Sequence, residues 1–285
     1  METQYNALVG DCLLAAATIA YLGPVTGEFR AERIKQWLTM VLTSKLAASP
    51  DYSLQGLLGE PVTIREWNIA GLPSDSFSVD NGIIATRARR WPLMIDPQGQ
   101  ASKWIKNMAD SSHREGDRRK SLVVVKPSDR NCSMRFQHCI PLGLPLLLEG
   151  VGEELDPILG PLLEKQTVRR AAGLSLEFGE TVLDYSTDFS FYMTTKLPNP
   201  HYLPEVSGKV ALINFGITFE GLKEQLMDLV VQRENSSLDE ERQRLIKQTY
   251  DNKRLQKKIE QRILDVLRTS TGNILDDEDA IRALA

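Results

Sequence analysis

Apolar positions follow successive patterns along the chain. From Leu8 to Leu22, in "LVGDCLLAAATIAYL", small and apolar side chains crowd all round, as in a helix packed inside a larger body, and Gly23-Pro24 ends it. In "AERIKQWLTMVLTSKLA" Ile34, Leu38 and Val41 recur at helical spacing with Trp37 beside them, which predicts a second helix. A turn-rich section, "GLPSDSFSVDNGII", is then expected to interrupt the helical region. Its Pro73, Asp75, Asn81 and Gly82 suit turns, and Asn81-Gly82 tolerates positive φ.

Downstream the pattern changes to short apolar runs ending in polar or turn residues: "WPLMID", "SLVVVK", "LPLLLEG", "FSFYMTTK" and "KVALINFGIT". Near-continuous apolar runs imply strands buried on both faces, as in a parallel sheet covered by helices. Helical stretches between the early runs, such as "ASKWIKNM", predict an α/β alternation. "LSLEFGETVLDY", alternating around Gly179, predicts a β-hairpin inserted between two core strands. After about Thr218 the chain becomes helical and charged, first in "GLKEQLMDLVVQRE" and then in a long segment with Ser237 and Gly272 as expected caps. There Leu238, Leu245, Asn252, Ile259 and Val266 fall seven apart, one seam of a coiled coil with a polar interruption. The companion seam has Leu255 but also Glu241, Gln248 and Arg262, so a helix lying on its own domain and a projecting coiled coil both remain open.

Composition narrows the function classes. With 42% hydrophobic and 25% charged residues in 285, the chain is expected to be globular with a sizeable core. A formal charge of -4 argues against a dedicated nucleic-acid binder or a polybasic membrane anchor, and the basic spots in "TRARRW" and "HREGDRRK" read as solvated loops. Cys12, Cys132 and Cys139 form no short-spaced pair, which fits a reducing compartment better than a disulfide framework or zinc. The early apolar stretch is interrupted by Asp11 and falls short of the ~20 residues that span a bilayer, so no membrane association is expected.

The candidate chemistry begins in "WPLMIDPQGQASKW". An apolar strand stops at Asp96-Pro97, a loop with one glycine follows, and a helical stretch begins, the layout of a strand feeding a phosphate-binding loop. A working loop of this kind has several glycines, a lysine directly after the last of them, and a Ser or Thr that reaches Mg²⁺. Here only Gly99 remains, Lys103 follows Ser102, and Trp104 takes the position expected for the Mg²⁺ hydroxyl. The acidic partner at a neighbouring strand end is Glu149 alone, without the usual consecutive Asp-Glu pair. Thr194, Thr195 and Lys196 end another strand, where polar side chains either report on a γ-phosphate or satisfy loop hydrogen bonds. His201 is read as a packed loop histidine, and Cys132, His138 and Cys139 lack zinc-site spacing.

A family resemblance rests on "LVGDCLLAAATIAYLGP", "GLPSDSFSVDNGII", "RRWPLMIDPQGQASKWIKNM", "GVGEELDPILGPLL", "YMTTKLPNPHYLPE" and "GNILDDEDAI". In this order they resemble the fifth AAA+ module of a dynein heavy chain of the axonemal type. The resemblance implies an AAA+ (P-loop NTPase-like) α/β fold, a parallel sheet flanked by helices, with a C-terminal small α-helical subdomain. It implies a helix over 1–22 continuing from the microtubule-binding stalk, a large α/β subdomain over 23–218, and a small helical subdomain over 219–285. The last would include the base or one arm of the buttress that supports the stalk. Pro97, Gly99, Ser102 and Lys103 would lie in a degenerate Walker A slot, Glu149 in the Walker B position, and Thr194, Thr195 and Lys196 at the sensor strand. No catalytic residue, metal or cofactor is expected in this module, with ATP and Mg²⁺ bound in other modules of the parent chain. Implied partners are neighbouring AAA+ modules, the stalk coiled coil, and, through the parent motor, microtubules and dynein intermediate and light chains. The implied location is the cytoskeleton of a cilium or flagellum. Against this non-catalytic ring module stand two alternatives: a module that binds or hydrolyses nucleotide through an atypical P-loop, and a self-standing protein that uses its charged helix as a coiled coil.

Overall fold

The computed structural model describes residues 2–113, 121–170, 173–234 and 236–269. The chain enters through helices α1 (Glu2–Tyr21), α2 (Gly27–Thr43), α3 (Leu54–Leu58), α4 (Pro61–Ile69) and α5 (Ser76–Arg87). Asp11, the polar interruption in the first apolar run, is buried, and its carboxylate accepts the Ser49 N–H at 2.8 Å and hydroxyl at 2.6 Å. The loop after α2 is thereby pinned to α1. Gly10 permits the close approach, since a Cβ there would stand 2.4 Å from the Ala47 carbonyl oxygen.

Of the section expected to be turn-rich, Gly71, Leu72, Pro73, Ser74 and Asp75 do lie outside any helix, but from Ser76 onward it is helical instead. Asp75 caps α5 by accepting the Ser78 N–H at 3.1 Å, and Val79, Ile83 and Ile84 are buried at helical spacing. Asn81 and Gly82 lie inside α5. The Asn81 side-chain oxygen accepts from the buried Arg30 guanidinium at 2.8 Å while its amide donates to the Asn214 carbonyl at 2.8 Å. Gly82 is the point where Trp67 packs on α5, and a Cβ would stand 2.8 Å from the Trp67 ring. These tertiary demands override the turn propensity of the dipeptide.

The remaining described elements are β1 (Pro92–Ile95), α6 (Gln100–His113), β2 (Val123–Val125), α7 (Cys132–Leu142), β3 (Leu146–Glu149), α8 (Gly160–Leu163), β4 (Thr167–Arg170), β5 (Gly173–Phe178), β6 (Thr181–Asp184), β7 (Phe191–Thr195), α9 (Pro204–Lys209), β8 (Ala211–Asn214), α10 (Phe219–Glu234) and α11 (Ser236–Thr269). The five apolar runs form one parallel sheet in the order β2-β3-β7-β1-β8. Period-2 alternation divides their side chains between two cores. Met94, Leu147, Tyr192 and Ile213 face a core with Trp67, Ile83, Trp104 and Phe215, whereas Leu93, Leu146, Leu148, Phe191 and Met193 face one with Phe136, Leu162 and Phe178. The α/β expectation is met, helices covering both faces.

The hairpin around Gly179, whose φ is +61°, is present as β5 and β6, and β4 adds a third antiparallel strand. At the other end, α11 lies against α4, with Lys258 and Arg262 facing Val62 and Thr63 across a cleft of about 480 Å³. No residue of the loop after β1 lines that cleft. In the heptad seam Leu245 and Ile259 are 53% and 48% exposed and Asn252 is exposed, and none of the three lines that cleft. The side chains of Ser237, Leu238 and Val266, and the whole of Gly272 and "GNILDDEDAI", lie outside the described residues. Among those residues no helix is long and apolar enough to cross a membrane, and all three cysteines are free.

Candidate functional site

The sheet order places the site. The chain leaves β1 through α6 for β2 at the far edge, while β8 pairs on the other side of β1, so the loop after β1 sits at a switch in strand order. In open α/β sheets, ligands bind outside the carboxyl ends of the strands at such a switch. The β3 and β7 ends bring Glu149 beside Thr194 in register, and Thr195 pairs with Ile95.

Asp96 organises the loop. Its N–H continues the strand pairing by donating to the Thr195 carbonyl at 2.9 Å. Its carboxylate, in a residue 2% exposed, accepts the Gln100 N–H on Oδ1 at 2.7 Å and the Ser102 N–H on Oδ2 at 3.0 Å. Burial pushes the Asp96 carboxyl above its ordinary value, and the backbone N–H groups of Ser102, Gln100, Gly99 and Ala101 pull it part of the way back. Both oxygens accept, which is the arrangement of an ionised carboxylate at a helix N-terminus. Gly99 makes the turn with φ +80°, a conformation that strains any side chain, and nothing lies within 4 Å of the position a Cβ would take.

Ser102 projects from the first turn of α6 and donates its hydroxyl to Glu149 Oε1. The same oxygen receives Lys106 Nζ at 2.6 Å, one helical turn further along α6. Burial raises the Glu149 carboxyl, but the Lys106 and Ser102 hydrogen bonds and the positive charge outweigh it and hold the group below the usual glutamate range. Glu149 thus ties the end of β3 to α6. Counted from the end of β1, the P-loop pattern G-x-x-x-x-G-K-[ST] puts Asp96 and Ala101 at the glycine positions, Ser102 at the lysine and Lys103 at the hydroxyl. This frame lies one residue from the sequence expectation, and Trp104, which it leaves outside the motif, is turned into the core. It is fully buried, stacked on Phe215 at 5.9 Å and edge-on to Trp67 at 5.8 Å.

The other candidates divide. Pro97 is half-buried in the loop, and Lys103 and Lys196 are exposed. The Thr195 hydroxyl accepts the Leu197 N–H at 3.2 Å, and the Thr194 carbonyl accepts the Val151 N–H at 3.0 Å, so part of the strand end serves loop hydrogen bonding. His201 is exposed, its N–H donating to Glu153 at 3.1 Å, and among the described residues no His, Cys, Asp and Glu cluster could hold a metal. Sequence reasoning missed Asp96 and Lys106 as site residues. The signal for Asp96 was a carboxylate at the first glycine position of the loop, and the signal for Lys106 was its place four residues after Ser102 on one helix face.

The side chains present do not fit a Mg-nucleotide: a carboxylate fills the backbone cradle, a serine stands at the lysine position, and a lysine stands where a metal-binding hydroxyl belongs. The sequence itself decides the family. Residues 65–285 match the family model described as the ATP-binding dynein motor region. The chain belongs to this dynein motor family. It is similar to dynein axonemal heavy chain 3 of Mus musculus at 48% identity over 282 residues, 99% of this chain and 7% of that protein. It is also similar to dynein axonemal heavy chain 6 of Homo sapiens, 44% identical over 283 residues, 99% of this chain and 7% of that protein. Dynein axonemal heavy chain 2 of Homo sapiens is 42% identical over 286 residues, 100% of this chain and 6% of that protein. The chain therefore spans 6–7% of the length of these dynein relatives. With the family, the parallel sheet flanked by helices is an AAA+ fold.

Proposed function

We propose that this chain is the fifth AAA+ module of an axonemal dynein heavy chain, a module that hydrolyses no ATP and couples movement of the motor ring to the stalk. The observation that carries the non-catalytic part is the closed set Ser102, Glu149 and Lys106. The serine at the P-loop lysine position and the carboxylate at the neighbouring strand end are engaged with each other and with a lysine. A hydrolytic pocket uses those two positions for phosphate and for metal or water. The module order rests on the resemblance of the motifs quoted above.

In this reading residues 1–22 continue from the stalk, 23–218 form the large subdomain, and 219–285 form the small subdomain with the base or one arm of the buttress. ATP and Mg²⁺ act in other modules of the parent chain, which moves toward microtubule minus ends in a cilium or flagellum. Neighbouring modules, the stalk and the intermediate and light chains are its partners there. Such transmission requires a body that moves as a unit, which a filled pocket does not hinder. Calorimetric titration of the 285-residue chain with Mg-ATP and Mg-ADP tests the reading, with Lys103→Ala alongside. No binding heat in either protein is expected; binding that disappears in Lys103→Ala would establish a nucleotide site and overturn it.

A further inference from the structure

The entering helices are tied to the sheet by a buried cation. Arg30 on α2, 2% exposed, donates from Nε to the Leu22 carbonyl at 3.0 Å and from Nη2 to the Gly23 carbonyl at 3.2 Å, just past the end of α1. Nη2 also donates to Asn81 Oδ1 on α5 at 2.8 Å, and the Asn81 amide donates onward to the Asn214 carbonyl, at the end of β8, at 2.8 Å. The Asn214 N–H returns to the Gly23 carbonyl at 2.9 Å. Arg30, Asn81, Asn214 and Gly23 thus close a ring of hydrogen bonds that joins α1, α2, α5 and β8. The two backbones are pressed together there, since a Cβ on Gly23 would stand 2.1 Å from the Leu212 carbonyl oxygen, and the guanidinium lies 4.3 Å from the centre of the Phe77 ring.

The charge makes this ring a stiff joint. Burial lowers the Arg30 guanidinium to about 10, with the nearby Asp80 carboxylate opposing the shift, so the group stays a cation at neutral pH. A buried cation that loses an acceptor is strongly unfavourable. Nη1 is already buried without a partner among the described residues, so the cluster holds no spare acceptor to replace one that leaves. The end of α1 and the end of β8 therefore keep their places together or part together, and do not slide by degrees. We propose that Arg30 is a positioning residue, the joint through which movement of α1 passes to β8 and on to the connection that starts α10. This rests on the reading above that α1 continues from the stalk, and it names the residues that would carry the coupling.

Two measurements test it. In the 285-residue chain, hydrogen exchange read by segment compares Arg30→Lys and Asn81→Asp with the unaltered protein. The lysine keeps the charge but lacks the fork that reaches several acceptors. The aspartate keeps an acceptor for Arg30 and removes the donor to the Asn214 carbonyl. Both are expected to speed exchange at the last turn of α1 and in β8 together, by about 2- to 30-fold, with β2 and β3 unchanged. Faster exchange on one side only, or equally throughout, would overturn the joint. If Arg30→Lys does not fold, Asn81→Asp, in which the cation keeps its partner, decides. In the parent heavy chain the readout is the ratio of microtubule-stimulated to basal ATPase rate, with Ala16→Pro, in the exposed middle of α1, as the control that breaks that helix. Asn81→Asp is expected to leave the basal rate in place and to lower the ratio by about 2- to 30-fold, whereas a merely structural role would lower both rates or neither. A ratio kept in Asn81→Asp but lost in Ala16→Pro would overturn the joint and leave the stalk reading standing. A ratio kept in both would overturn the stalk reading and the joint with it.

Discussion

At the scale of single residues, Glu149 makes the strongest link between chemistry and shape. Its partner Lys106 is 43% exposed, so the pair is screened by water and its worth is that of a surface ion pair, about 0.5–1 kcal/mol. Glu149→Gln keeps an oxygen to accept from Ser102 and loses only the charge. It is expected to lower stability by about that amount at neutral pH, measured by urea unfolding. Because the folded-state group is held below its ordinary value, its contribution is present above that value and is lost as the pH falls through the lower folded one. The two proteins should therefore converge in acid, and a difference that persists there would show that packing and not charge is responsible. Ser102 and Glu149 were legible because loop layout and strand ends are sequence features. Asp96 and Lys106 were legible only as positions, a carboxylate where the loop pattern has its first glycine and a lysine four residues after Ser102, because the contacts they make exist only in the folded loop and between α6 and β3.

At the scale of elements, the same contrast separates the strands from α5. The five core strands were legible because burial on both faces writes a continuous apolar run, and the hairpin because Gly179 breaks an alternation. β4 was not, as "TVRR" carries two arginines on a strand that pairs only with β5 among the described residues. For α5, the Asn81-Gly82 pair drew the reading to a turn, although Asp75 followed by Val79, Ile83 and Ile84 is a cap followed by a helical face. Asp75 also reaches beyond its own helix. Its Oδ2 receives the Thr218 hydroxyl at 3.4 Å, and Thr218 in turn accepts the Gly221 N–H at 3.0 Å at the start of α10. One carboxylate thus joins the terminus of α5 to that of α10. Asp75→Ala is expected to cost about 1 kcal/mol and to speed hydrogen exchange at both helix starts together. Faster exchange at α5 alone would remove the proposed link to α10.

For the whole molecule, the question is how firmly α10 and α11 belong to the body that carries the sheet. The connection between β8 and α10 is held from two sides, by Thr218 on Asp75 and by the Ile217 N–H on the Gln98 side chain at 3.3 Å. Gln98 belongs to the loop after β1, so the loop touches the link to the helical pair. Beyond that link α11 runs for 34 residues, about 50 Å at helical rise, and reaches back to α4. The face it offers there, Lys258, Gln261 and Arg262, is charged or polar and exposed, whereas Trp104, Leu147 and Phe191 at the sheet are fully buried. Contacts among exposed charges are screened within about 3 Å at 1 M salt, while apolar burial is not weakened by screening. Raising sodium chloride from about 0.1 to about 1 M is therefore expected to loosen α11 from α4 and leave the sheet intact. Hydrogen exchange read by segment would show faster exchange in the last turns of α11 and along α4, with β1, β3 and β7 unchanged. If α11 keeps its protection at high salt, apolar packing holds it and the described polar face is not the attachment. If it loosens, the buttress reading gains a physical basis, since an arm attached by screened polar contacts can change its seat without disturbing the core that moves with it.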